Sequence, residues 1–169
     1  MKGLPRSMAR GAPVRQEVMK LRIPVNKSFA VADGAPGYGT VVLSALPQGN
    51  LLYLGLVSYL KFTKTDADIT ATFDGDYSIG SAPDANGTLA SAEVDMLAST
   101  PFAAAAVGST TAVMRAASAV GLCGTIFDNT DGSLEMNLNL IIDDGSISGA
   151  GTMDVDGVVE ACFIVLGDD

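Results

Sequence analysis

The chain has 169 residues, 48% of them apolar and 17% charged, with 19 glycines and neither histidine nor tryptophan. This is ample apolar material for one packed core, and the low charge beside abundant Gly, Ala, Val, Thr and Ser suits tightly turned β-structure better than helix. The missing histidine removes the commonest general base and zinc ligand, so the expectation is a protein that is not an enzyme.

The formal net charge of −9 is unevenly spread. Residues 1–27 carry seven basic side chains against Glu17, a net +6, and residues 28–169 carry Lys61, Lys64 and Arg115 against 18 acids, a net −15. Such asymmetry predicts a basic extended arm over residues 1–27 and a single acidic β domain over residues 28–169. Gly3, Pro5, Gly11 and Pro13 leave the first 16 residues too little apolar side chain to fold alone. The arm either orders on a partner or frays, and both readings stand at this point. Arg6, Arg10, Arg15 and Lys20 are its candidate contact residues. No aromatic residues interleave residues 1–16 and the body is acidic, so the expected partner is an acidic protein surface and not nucleic acid. Lys2, Arg6 and Arg10 are followed by more charge and not by an apolar run, so no signal peptide is predicted. No stretch approaches the roughly 20 apolar residues that cross a bilayer, and synthesis and assembly in the cytoplasm without a membrane partner are expected.

In chain order, Glu17-Val-Met-Lys-Leu-Arg-Ile-Pro-Val alternates and reads as a strand, with Pro24 suited to an edge. A short run follows at 28–32, then a turn at Gly34-Ala-Pro-Gly-Tyr-Gly and a strand at 40–44. Pro47-Gln-Gly-Asn opens the long apolar run Leu51–Phe62, predicted as a strand buried on both faces or bent at Gly55. Ile69–Gly80 reads as one long strand kinked at Gly75. Leu89–Leu97 is the one stretch with helical spacing, ended by Pro101. Residues 103–111 read as loop, and 111–117 and 124–128 as strands. Leu134, Met136, Leu138 and Leu140 alternate with Glu135, Asn137 and Asn139, the clearest strand pattern in the chain. Met153–Val155 and Val158–Leu166 close the domain as two further strands. Eight or nine short strands without crossover helices exclude parallel βαβ architecture. The predicted fold is all-β, an antiparallel jelly-roll sandwich with an extended N-terminal arm and at most one short helix.

Chemistry is sparse. The pairs Asp66/Asp68, Asp74/Asp76, Asp143/Asp144 and Asp154/Asp156 could converge on Ca²⁺, but none matches an EF-hand loop, and solvated turn residues are the simpler reading. Gly34-Ala-Pro-Gly-Tyr-Gly lacks the Lys-Ser/Thr of a phosphate loop. Cys123 and Cys162 have apolar neighbours and no C-x-x-C spacing, so two buried free thiols are expected and a zinc site is not, with a disulfide between them left open because sequence does not give their separation. No catalytic residue, metal or cofactor is assigned.

The segments Ile79-Gly-Ser-Ala, Asn86-Gly-Thr-Leu-Ala-Ser-Ala-Glu-Val-Asp-Met-Leu, Leu138-Asn-Leu-Ile-Ile-Asp-Asp and Gly149-Ala-Gly-Thr-Met-Asp-Val-Asp-Gly-Val-Val-Glu-Ala, with the ending Phe163-Ile-Val-Leu-Gly-Asp, resemble in their order the jelly-roll decoration or cement proteins of tailed-phage capsids. The likeness covers about residues 40–169 and consists of turn and strand grammar, with the arm as a departure from the compact members. It implies a structural virion protein on the outer capsid surface. Its partners would be the major capsid protein and further copies of itself, as trimers or dimers, with no cofactor. A receptor- or glycan-binding fibre head, or a neck or tail component, is the alternative. The mean hydropathy of +0.34 agrees with an oligomer, since a chain this small hides apolar surface poorly.

Overall fold

A computed structural model describes residues 18–104, 112–119 and 122–167. Nine strands form two antiparallel sheets, and the described residues include no α-helix. The strands are β1 (Val18–Val31), β2 (Gly37–Ala45), β3 (Gly49–Lys64), β4 (Asp74–Gly80), β5 (Leu97–Ala103), β6 (Ala112–Ala119), β7 (Ile126–Asn129), β8 (Glu135–Ile142) and β9 (Gly151–Gly167). One sheet has the order β1-β9-β3-β6, with β7 also on β3; the other has the order β2-β8-β4-β5. Pairing is nested along the chain: β1 with β9, β2 with β8, β3 with β6 and β7, β4 with β5. The predicted all-β antiparallel sandwich is therefore the observed fold class.

The core lies between the sheets. Strand alternation turns Val25, Phe29, Leu51, Leu60, Phe62, Val159 and Phe163 of the first sheet toward Tyr77, Ile79, Phe102, Leu138 and Leu140 of the second. Phe62 and Phe102 stack across the gap with ring centroids 4.9 Å apart. Tyr77 is fully buried, and its hydroxyl lies 3.1 Å from Ser58 Oγ, so burial strands neither polar group.

Several predicted boundaries shift. The arm cannot extend to residue 27, because residues 18–27 are the first ten of β1 and pair with β9 from Ile164 back to Val155. Met19, Leu21, Ile23 and Val25 recur every second residue and pack on the core, which sends Lys20 and Arg22 to the outer face; Lys27 shares the inward parity of Val25 and Phe29 but is exposed. Charge alone drew the boundary too late. β1 is an edge strand, where Pro24 can do without a ladder N–H.

The expected helix over Leu89–Leu97 is only a single 3-10 turn, Ser91–Glu93, and Leu97 already begins β5. Pro101 lies inside β5 instead of ending a helix, again on a sheet edge. The expected strand Ile69–Gly80 is β4 over 74–80 only; Ile69 makes an isolated bridge to Ile147. The two closing strands are one, β9, continuous through Gly157. β3 bends where predicted, its register against β9 shifting between Tyr53 and Gly55, but Tyr59 and Lys61 leave its outer face exposed.

The two sheets differ on their outer faces. The segment 81–96 crosses the outside of β4 and β8, so Asn137, Asn139 and Ile141 are buried although they point away from the core. Asn139 holds the segment. Its Nδ2 donates to the Ala82 and Glu93 carbonyls at 3.0 and 3.1 Å, and its Oδ1 accepts from the Asp84 N–H at 2.9 Å and Thr40 Oγ1 at 2.7 Å. Ser78 Oγ also donates to the Glu93 carbonyl, at 2.7 Å. The approach is so close that a Cβ on Gly80 would stand 2.2 Å from the Ala92 oxygen. No described segment covers the corresponding face of the β1-β9-β3-β6 sheet in this way.

Candidate interaction surface

The uncovered face is built by register. Side chains of the same parity on β1, β9, β3 and the β6/β7 side line up in rows across the sheet. The first row is Val18, Ile164, Leu52 and Ile126. Two rows on, Arg22, Glu160, Val57 and Ser118 align, and then Pro24, Val158, Tyr59 and Ala116. Val18, Tyr59 and Ile126 are each more than half exposed. The face is thus apolar at one end, crossed by one ion pair (Arg22 Nε to Glu160 Oε1, 3.0 Å), and apolar again around Tyr59. Both ends of that pair are well exposed, so it stabilises by less than about 1 kcal/mol and orients the two strands little.

At the β3 bend the face hollows into a groove of ≈ 560 Å³. Leu54, Val57, Ala161 and Cys162 are among the residues that line it, with Lys20, Arg22 and Glu160. Of the predicted contact residues, Lys20 is the one described, exposed on β1 opposite Cys162 at this groove. Arg6, Arg10 and Arg15 lie outside the described residues. Sequence reasoning missed the groove because it depends on the one-residue bulge at Leu54, and Gly55 alone does not announce which strand it faces.

The cysteines are not the buried pair expected. Cys123 is exposed and Cys162 half-buried, and no disulfide joins them. Cys162 stands on β9 opposite Gly55, whereas Cys123 Sγ donates to the Leu54 carbonyl at 2.7 Å from the β7 side. They thus flank β3 from opposite sides, and strands separated by a third lie roughly 9–10 Å apart, beyond disulfide reach. Tyr53, buried between the sheets, donates its hydroxyl to the Met96 carbonyl at 2.6 Å, and burial raises its pKa well above the usual phenol range.

The aspartate pairs separate into roles. Asp66 Oδ1 accepts from the Asp68 N–H, and Asp74 Oδ1 accepts from Ser146 Oγ at 2.5 Å, which ties β4 to the turn after β8. Asp154 and Asp156 project from the outer face of β9, opposite Thr63 and Lys61. Among the described residues no group of three or more acidic or cysteine side chains is placed to hold a metal ion. Asp143 titrates above its ordinary value, first because of desolvation and then because of the nearby Asp74 and Asp76 charges. Its raised folded pKa means that ionisation opposes folding. Stability from this group is full below the unfolded carboxylate pKa and is lost as pH rises through the folded value. Asp143→Asn should therefore stabilise the fold slightly at pH 7, by less than about 0.5 kcal/mol at so exposed a site, and raise the melting temperature accordingly. The gain should vanish by pH 3; thermal melts at the two pH values check it, and an equal gain at both would reject the electrostatic cause.

A scan of protein-family models finds no match to the chain, and a search of curated proteins finds none either. Among the described residues no helix is long and apolar enough to cross a membrane.

Proposed function

We propose that the sandwich is a jelly roll and that the protein is a structural component of a phage particle, binding the outside of the capsid and cementing neighbouring major-capsid subunits. The nested strand pairing supports the first part: a long antiparallel hairpin rolled so that β1/β9 and β3/β6 share one sheet and β2/β8 and β4/β5 the other is the wrapping of that fold. The observation that carries the second part is the asymmetry of the two outer faces. One is sealed by segment 81–96, and the other presents Val18, Leu52, Ile126, Tyr59 and a groove to its surroundings. Soluble proteins rarely expose contiguous apolar surface unless it meets a partner. Residues 1–17, which carry four basic side chains against Glu17, immediately precede Val18 of this face in the chain. A shell that is acidic on the outside complements them, and the apolar face then supplies contact area.

The test is co-sedimentation with undecorated capsids. The full chain should pellet stoichiometrically, and deletion of residues 1–16 should abolish pelleting at moderate salt while leaving the thermal melt unchanged. Raising the salt from 50 to 500 mM should weaken binding of the full chain, because exposed charges are screened over about 4 Å at the higher value. A full chain that stays in the supernatant at every salt concentration rejects the capsid reading.

A further inference from the structure

We propose that β6 is a self-association edge, through which two copies pair antiparallel about a two-fold axis into one continuous sheet. Among the described residues four long strands, and the four-residue β7 beside β6, lie at sheet edges, and an open edge invites pairing unless something blunts it. Three of the four are blunted. β1 contains Pro24, β5 contains Pro101, and β2 carries a bulge between Val42 and Ser44. β6 has neither proline nor glycine over Ala112–Ala119, and its register against β3 runs without a shift from Thr63 to Leu56.

The charge pattern selects a second copy as the occupant. Two copies of a chain with net charge −9 repel unless they meet where acids are absent. β9, at the centre of the sheet, carries Asp154, Asp156 and Glu160, whereas β3 and β6 contain no acidic residue, and Arg115 is the single charged residue of β6. A shallow depression of ≈ 240 Å³ lies beside this edge, lined by Val57, Tyr59, Ala116, Ala117 and Ser118. It offers small side chains and one exposed ring for a partner strand to cover. Because a two-fold pairing of β6 with β6 uses the same edge of both copies and the other long edges are blunted, it is closed and isologous and does not propagate into fibres. Of the trimer and dimer expected from sequence, this favours the dimer.

Ala116 lies near the middle of β6 on the outer face, so two-fold pairing brings its two copies to roughly 5–8 Å, opposite or diagonal. The full chain should sediment as a dimer at tens of micromolar, free of capsids. Ala116→Lys alone and Ala116→Glu alone should each weaken dimerisation at least tenfold, and an equal mixture of the two should restore it as a heterodimer. Wild-type protein that is monomeric at this concentration overturns the proposal. So do charged variants that dimerise unchanged, or a mixture of folded variants that fails to rescue. If neither variant folds, hydrogen exchange of the wild type over a dilution series replaces them: amides of residues 112–119 should lose protection as the dimer dissociates, and protection independent of concentration overturns the proposal. Capsid binding plays no part in either measurement, so this inference and the cementing role can fail separately.

Discussion

Gly157→Ala is expected to destabilise the protein by roughly 3 kcal/mol or more, lowering the melting temperature by about 10 °C. Gly157 sits in β9 between Val25 of β1 and Leu60 of β3, with φ at +146°. An L side chain is strained there, and its Cβ would stand 2.0 Å from the Tyr59 carbonyl oxygen. That oxygen belongs to the neighbouring strand's backbone, so no rotamer change relieves the overlap. Either β3 moves away from β9, breaking ladder hydrogen bonds between the two central strands, or β9 re-registers. The matched control is Gly145→Ala, where a Cβ meets nothing within 4 Å and which should change stability by less than about 0.5 kcal/mol. Urea denaturation of both variants decides the matter; equal midpoints would show that the strand crossing at Gly157 is not as tight as described.

Asn139→Ala should cost about 3 kcal/mol and should act on one segment first. The amide satisfies the Asp84 N–H and the Ala82 and Glu93 carbonyls, all belonging to segment 81–96, while its own position on β8 is buried. Removing it strands buried backbone groups, each at roughly 1–3 kcal/mol before relaxation or water entry. The Glu93 carbonyl keeps Ser78 as a donor, so the loss falls chiefly at Ala82 and Asp84. Hydrogen exchange should therefore rise in 81–96 well before the β3/β9 ladder opens, and limited proteolysis should cut there. Asn139→Asp keeps the acceptor oxygen but replaces the donor with a second oxygen facing the Ala82 and Glu93 carbonyls and buries a carboxylate, so its damage should be larger at pH 7 and should shrink as pH falls and the acid becomes protonated. Exchange that rises evenly over the whole sandwich would show that the segment is no separate unit.

The alternation of Leu134, Met136, Leu138 and Leu140 against Glu135, Asn137 and Asn139 identified β8 correctly, because a strand's period is short and local. By alternation alone Asn137 and Asn139 fall on the polar side of the strand, which in a half-buried strand meets water. Here they do not meet water, since a segment some 50 residues earlier in the chain folds over them, and no local pattern encodes that return. The helix expected over 89–97 failed for a related reason. Leu97 faces the core as the first residue of β5 and not as the end of an apolar helical stripe. The arm ends before residue 27 because basic charge extends into β1, whose inward-facing Met19, Leu21, Ile23 and Val25 already pack on the core.

For the candidate surface, Lys20 was legible as an exposed basic residue, but its place beside Cys162 and the groove was not. The bulge at Leu54 forms the hollow, and bulges arise from how two strands match in length, which is a property of the pair.

The sequence by itself determined the class of structure. Apolar residues at every second position, glycines and prolines between them and no sustained 3.6-residue period leave antiparallel sheets as the way to bury this chain. It also determined the separation of a basic N-terminus from an acidic body. The tertiary structure decided which outer face is sealed and which is open, and which edge strand lacks a proline or bulge. Those properties belong to strand order, and strand order depends on contacts between residues far apart in the chain, such as Val18 with Ile164 and Leu56 with Ala119.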